Sequence, residues 1–152
     1  GDVRARRVGA APDRPLMYLL DTVVLSELRK ARRDLQVRNW FRTVDPSTLF
    51  VSVITFGEIE RGIERQRQID AGFADRLAAW SEAVLRLYAD RVLPVTASIA
   101  RRWGRLLAAE RRPGVDLMIA ATALDHGLAV VTRNTRDFVG LGVEVIDPFQ
   151  RK

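Results

Sequence analysis

The sequence predicts an α/β fold in a single domain, with a mainly parallel central sheet of four to five strands flanked by helices. Three observations carry this reading. Short apolar runs alternate with longer amphipathic stretches from residue 17 onward. The first of these runs is continuously apolar, as in strands buried on both faces. One late segment, 115–127, is apolar nearly all round, so its helix belongs beneath other elements. Strands alternating with helices close into parallel crossover units.

In chain order, LMYLL (16–20) is a buried strand ending at Asp21. Helices are predicted over 24–30 and 34–44, then DPS (45–47) turns the chain into the β-rich strand LFVSVI (49–54). Thr55 opens a helix with Phe56, Ile59 and Ile63 at helical spacing. A longer helix over 73–88 places Phe73, Leu77, Trp80, Val84 and Leu87 on one face. VLPV (92–95) is a short strand whose proline indicates an edge position. The next helix, 98–111, buries Ile99, Trp103, Leu106 and Leu107 and carries Arg101 and Arg105 on its other side, with Arg102 flanking. Past Pro113 and Gly114 comes the buried helix, with Gly127 as its C-cap. LAVVT (128–132) and VEVI (143–146) complete the strands. Residues 1–16 read as a disordered leader, upstream read-through or expression remnant, with Met17 the natural start and residues 150–152 a tail.

Composition narrows the chemistry. With 152 residues, 47% of them hydrophobic and 29% charged, the chain is the size and type of one globular domain. It has no cysteine and one histidine, His126, which excludes disulfides, zinc–thiolate sites, a cysteine nucleophile and multi-histidine metal sites. No apolar run has the length of a membrane helix, and the first sixteen residues lack the apolar core of a secretory signal, so a cytoplasmic location is expected. The net charge is +6, and only two of the 25 basic residues are lysine. Arginine's planar fork grips phosphate, which points toward nucleic acid; an arginine-rich codon bias gives the same excess.

Functional groups of open parallel sheets gather at the carboxyl ends of the strands. Asp21 ends the first strand, Glu58 follows the second, Asp116 begins the buried helix and Asn134 follows LAVVT. Each also has a local explanation. Asp21 and Asp116 suit helix N-caps, Thr55-x-x-Glu58 fits a capping box, and Asn134 suits a turn. As a set, they suit a divalent cation of the magnesium type, which prefers oxygen ligands, keeps several waters and can clamp a phosphate for in-line displacement.

Four segments, LLDTVVLSEL (19–28), SVITFGEIERG (52–62), VDLMIAATALDHGLAVVTRNTRDF (115–138) and VEVIDPF (143–149), together resemble the PIN-domain VapC toxins from Met17 to Phe149. The resemblance implies an endoribonuclease dependent on Mg2+ or Mn2+ that leaves a 5′-phosphate. It also implies a bacterial toxin, usually a homodimer, restrained by a VapB-like antitoxin. The acidic set would fall on Asp21, Glu58 and Asp116, with the fourth, often acidic, position at Asn134. Thr22 and Thr132 match the hydroxyl residues that support the site.

The chain departs from that pattern at two places. Val23 stands where the family usually has a small polar residue, and Asn134 adds no negative charge, leaving Asp137 as a substitute three residues on. These departures keep a second reading open, a catalytically weakened module that binds RNA or antitoxin. A haloacid-dehalogenase-type phosphatase needs a second aspartate at position 23, and a receiver domain needs an acidic pair and a late lysine; both lack them. Arg101, Arg105 and Arg133, with Arg102, Arg111 and Arg112, are candidate RNA-phosphate contacts or a solvated surface. Trp40, Trp80 and Trp103 read as core or dimer contacts, Glu60, Arg61, Glu64 and Arg65 as surface charges, and His126 as a helix-end residue.

Overall fold

The computed structural model describes residues 16–150, so the leader expected over 1–16 lies almost wholly outside it. The elements are β1 (Tyr18–Leu20), α1 (Thr22–Glu27), α2 (Leu35–Thr43), β2 (Leu49–Ser52), α3 (Val53–Arg67), α4 (Ala71–Leu87), β3 (Val92–Leu93), α5 (Ala97–Ala109), α6 (Gly114–His126), β4 (Ala129–Val131) and β5 (Val145–Ile146). All strand pairs are parallel, in the order β3-β2-β1-β4-β5. The proline-containing VLPV segment is indeed an edge, since Pro94 lacks the N–H a central strand would need.

Period-two alternation in the central strands feeds two cores. Leu20 and Val131 face α1, α3 and α4, meeting Val24, Leu25, Ile59, Ile63 and Val84. Leu19 and Val130 face the other way, onto Leu117, Ile119, Ala120 and Ala123 of α6. Helix α6 is covered in turn by α5 through Ile99, Met118 and Ala121. This explains its apolar circumference: Leu117 through Ala123 are all buried. Gly127 ends it at φ 67°, a left-handed conformation that glycine adopts without a Cβ penalty.

Two local expectations are corrected. Strand β2 stops at Ser52, whose hydroxyl accepts from Ile54 N at 3.1 Å and caps α3. The helix therefore begins before Thr55, and no Thr55-to-Glu58 capping box forms. Likewise α6 starts at Gly114 behind Pro113, which puts Asp116 inside the first turn rather than at the cap. Proline's fixed φ and missing N–H suit that boundary. Both carboxylates are thus released from capping.

Candidate active site

The chain steps outward from β1 to β2 and β3, then crosses back to place β4 on the other side of β1. A reversal of this kind opens a crevice beyond the carboxyl ends of the two strands that flank it. Asp21 stands there as the residue after β1. Its N–H donates to Val131 O at 2.9 Å, extending the ladder, and its Oδ1 accepts from Thr22 N at 2.9 Å as the N-cap of α1. Its Oδ2 accepts from the Thr132 hydroxyl at 2.8 Å. Asp21 is thus both a cap and a crevice residue. Burial pushes its carboxyl above the ordinary range, and the charge of Asp137 adds to this, while the bonds from Thr132 and Thr22 oppose it.

Glu58 comes from the second turn of α3, where its Oε1 accepts from the Thr22 hydroxyl at 2.7 Å. Asp116 comes from the first turn of α6, an end that normally favours anions. Its carboxyl is nevertheless pushed up to about 6, first by burial, then by the charges of Asp137, Asp21 and Glu58. Four carboxylates therefore act on one another across a single crevice. Among the described residues, none of the four is ion-paired with a lysine or arginine.

The fourth acidic group is Asp137. The Asn134 side chain makes no hydrogen bond among the described residues and is exposed. Its backbone does the work instead: Asn134 N donates to Thr132 Oγ1 at 3.1 Å, and Asn134 O accepts from Asp137 N at 3.1 Å. That short 3₁₀ turn, Thr135–Phe138, brings Asp137 within electrostatic reach of Asp21 and Asp116. Thr22 and Thr132 each hold a carboxylate. Val23 packs into the core.

The arginines divide. Arg101 and Arg105 are exposed on α5 without a hydrogen bond or ion pair among the described residues. The guanidinium of Arg133 lies over the Phe149 ring, 4.7 Å from its centroid. Arg102 turns toward Asp125 at 4.0 Å, and Arg112 bonds to backbone carbonyls. Trp103 donates to Gly114 O at 2.9 Å, tying α5 to the start of α6. Trp40 meets Tyr18 and Phe41 edge-on, and Trp80 packs against the core, as their spacing indicates. Sequence reading missed Glu27, a buried acid that accepts from Asp34 N at 2.9 Å. Lys30, at 2.8 Å, holds its carboxyl below the usual range. Its only sequence signal was the Glu27 to Lys30 spacing, too common on helix surfaces to stand out.

Among the described residues, no three acidic or histidine side chains form a ready-made set of direct metal ligands. The donors are carboxylates with unbalanced negative charge, which suits a hard, hydrated cation bound partly through water.

Comparison with known proteins agrees with this geometry. The PIN domain family model matches residues 18–142. The chain is 36% identical over 144 residues to a VapC ribonuclease, Y4jK, of Sinorhizobium fredii, covering 88% of this chain and 99% of the relative. It is 28% identical over 143 residues to Toxin FitB of Neisseria gonorrhoeae, at 88% and 99% coverage. The crystal structure of FitAcB from that organism superposes with a TM-score of 0.79, at 28% identity, over 89% of this chain and 100% of the other. By sequence and by fold, the chain belongs to the PIN-domain family, alongside the VapC toxins.

Proposed function

We propose that the protein is a metal-dependent endoribonuclease that hydrolyses RNA phosphodiester bonds as the toxin of a toxin–antitoxin pair. The observation that carries this reading is the crevice itself: four carboxylates beside the β1/β4 switch point, none of them ion-paired with a basic side chain among the described residues. Asp21, Glu58 and Asp116 would hold Mg2+ or Mn2+, with Asp137 completing the charge and Asn134 bracing the turn. When bound, a divalent ion supplies a Lewis acid that polarises the phosphodiester and acidifies water for hydrolysis.

The protein's own groups do the rest. Thr132 and Thr22 fix Asp21 and Glu58, so their free lone pairs point the same way at every turnover. Asp116, pushed up to about 6 by burial and by its acidic neighbours, gives up its proton to bind a cation, so cation binding is coupled to pH. Arg105, with Arg101 one turn earlier on the exposed side of α5, would be the contact to substrate phosphates. A methyl group on Gly114 would lie 3.9 Å from Leu107 Cδ2, so this end of α5 abuts the end of α6 that carries Asp116. Arg133, stacked on Phe149, is the weaker phosphate contact.

We assign the domain to 17–149, because Phe149 still packs against the core. A VapB-like antitoxin is the partner, and a homodimer the working form. The homodimer rests on the family resemblance; for the antitoxin, support comes from similar solved structures, including FitAB bound to an IR36 DNA fragment (27% identity, TM-score 0.78) and a toxin–antitoxin complex from Klebsiella pneumoniae (26%, 0.63). The exposed Leu35, Ile69, Leu87 and Val139 offer apolar contact area for such interfaces. Among the described residues, no helix is long and apolar enough to cross a membrane.

The test is antitoxin-free protein incubated with cellular RNA and Mg2+ or Mn2+. Cleavage is expected, with at least a 100-fold loss in Asp116→Asn, the order seen when a key electrostatic group is removed. Full activity in that variant would reject the reading. That no three acidic or histidine side chains among the described residues form a direct ligand set favours the binding-module alternative. Calorimetry showing no Mn2+ uptake, by protein that still binds RNA, would establish it.

A further inference from the structure

We infer that Arg112 is a positioning residue, a clamp that sets where Asp137 stands relative to Asp116. Its Nη1 donates to Asp137 O at 3.0 Å and its Nη2 to Val139 O, while Nε faces Glu110 Oε2 at 3.4 Å. The side chain is only 25% exposed, so its donors are committed inward rather than offered to a substrate phosphate.

The turn it grips needs such a partner. Thr135–Phe138 is a 3₁₀ turn, a geometry with poorer hydrogen bonds than an α-helix, and among the described residues no side chain caps it. Phe138 plugs it into the core on the inside. The two carbonyls that Arg112 binds lie on either side of Phe138, so plug and clamp together fix the segment. Arg112 also sits two residues before α6, the helix that carries Asp116. One short segment, 110–113, therefore governs two carboxylates that come from different elements. A guanidinium spans two carbonyls and a carboxylate in one plane. An ammonium, with its donors on a single atom, does not reproduce that fork.

This inference rests on the reading of Asp137 as part of the cation site. It is tested by Mn2+ titration, followed by electron paramagnetic resonance or calorimetry, on full-length wild type, Asp137→Asn, Arg112→Ala, Arg112→Lys and the Arg112→Ala/Asp137→Asn double variant. RNA binding in EDTA and thermal unfolding are measured alongside. Arg112→Ala is expected to weaken Mn2+ binding roughly 10-fold, the usual cost of losing an outer support of a metal site. Arg112→Lys, which keeps the charge and secures a folded comparison, should lose most of the same affinity. In the double variant the loss should not exceed that of Asp137→Asn alone, because the clamp acts through that residue. RNA binding in EDTA should be unchanged. Additive losses, wild-type Mn2+ affinity in Arg112→Lys, or weakened RNA binding with Mn2+ affinity intact would each overturn the clamp. Wild-type Mn2+ affinity in Asp137→Asn would instead overturn the role of Asp137, and the clamp with it.

Discussion

Asp116 shows how one residue can be stabilised for function and destabilised for folding. Burial and three neighbouring carboxylates push its carboxyl up to about 6 in the folded protein, from an ordinary value of 3.8. Between those values the folded form binds the extra proton, so this group's contribution to stability falls as pH rises from 4 to 6. At pH 7 it is ionised and repelled. In EDTA at pH 7, Asp116→Asn should therefore raise the melting temperature by about 3 °C, corresponding to about 1 kcal/mol after solvent screening. At pH 4, where the wild-type carboxyl is already neutral, the gain should vanish. Saturating Mg2+ at pH 7 should narrow the gap by stabilising only the wild type. Thermal melts at the two pH values decide this, and a gain of equal size at pH 4 would contradict it.

At the scale of elements, the site depends on where helices begin. Ser52, not Thr55, caps α3. The Thr55 hydroxyl is buried and makes no hydrogen bond among the described residues. Ser52→Ala should cost about 1 kcal/mol in urea unfolding. Thr55→Val should be neutral or stabilising by up to about 1 kcal/mol, since it removes a buried polar group with nothing to bond. The capping-box reading of the sequence demands the reverse order. It was plausible because Thr55 and Glu58 have the right spacing. The spacing does not reveal that the strand backbone leaves the sheet three residues earlier, at a serine able to cap.

Across the whole molecule, the β1 strand holds two cores apart, with Leu19 on one face and Leu20 on the other, both fully buried. Truncating either to alanine should cost roughly 2–5 kcal/mol, read as a lower urea midpoint with an unchanged slope. A cost confined to one of them would contradict the three-layer arrangement. The same layering makes the crevice. Helices α1 through α4 cover one face and α6 the other, so Glu58 and Asp116 approach Asp21 from opposite sides of the sheet.

The amino-acid pattern was enough for the α/β class, the buried α6, the edge position of β3 and Asp21 at the end of β1; it put Glu58 and Asp116 in the right helices but at the wrong distance from their starts. These follow from apolar periodicity and breakers, which are local properties of the chain. Tertiary structure alone decided that Asp137 comes within electrostatic reach of Asp21 and Asp116. It also turned Arg112 inward, left Arg105 outward and buried Glu27. Those outcomes depend on which segments the crossovers bring together, and on whether a nearby carbonyl or carboxylate claims a donor before solvent does. Neither is encoded in the spacing of residues along one element.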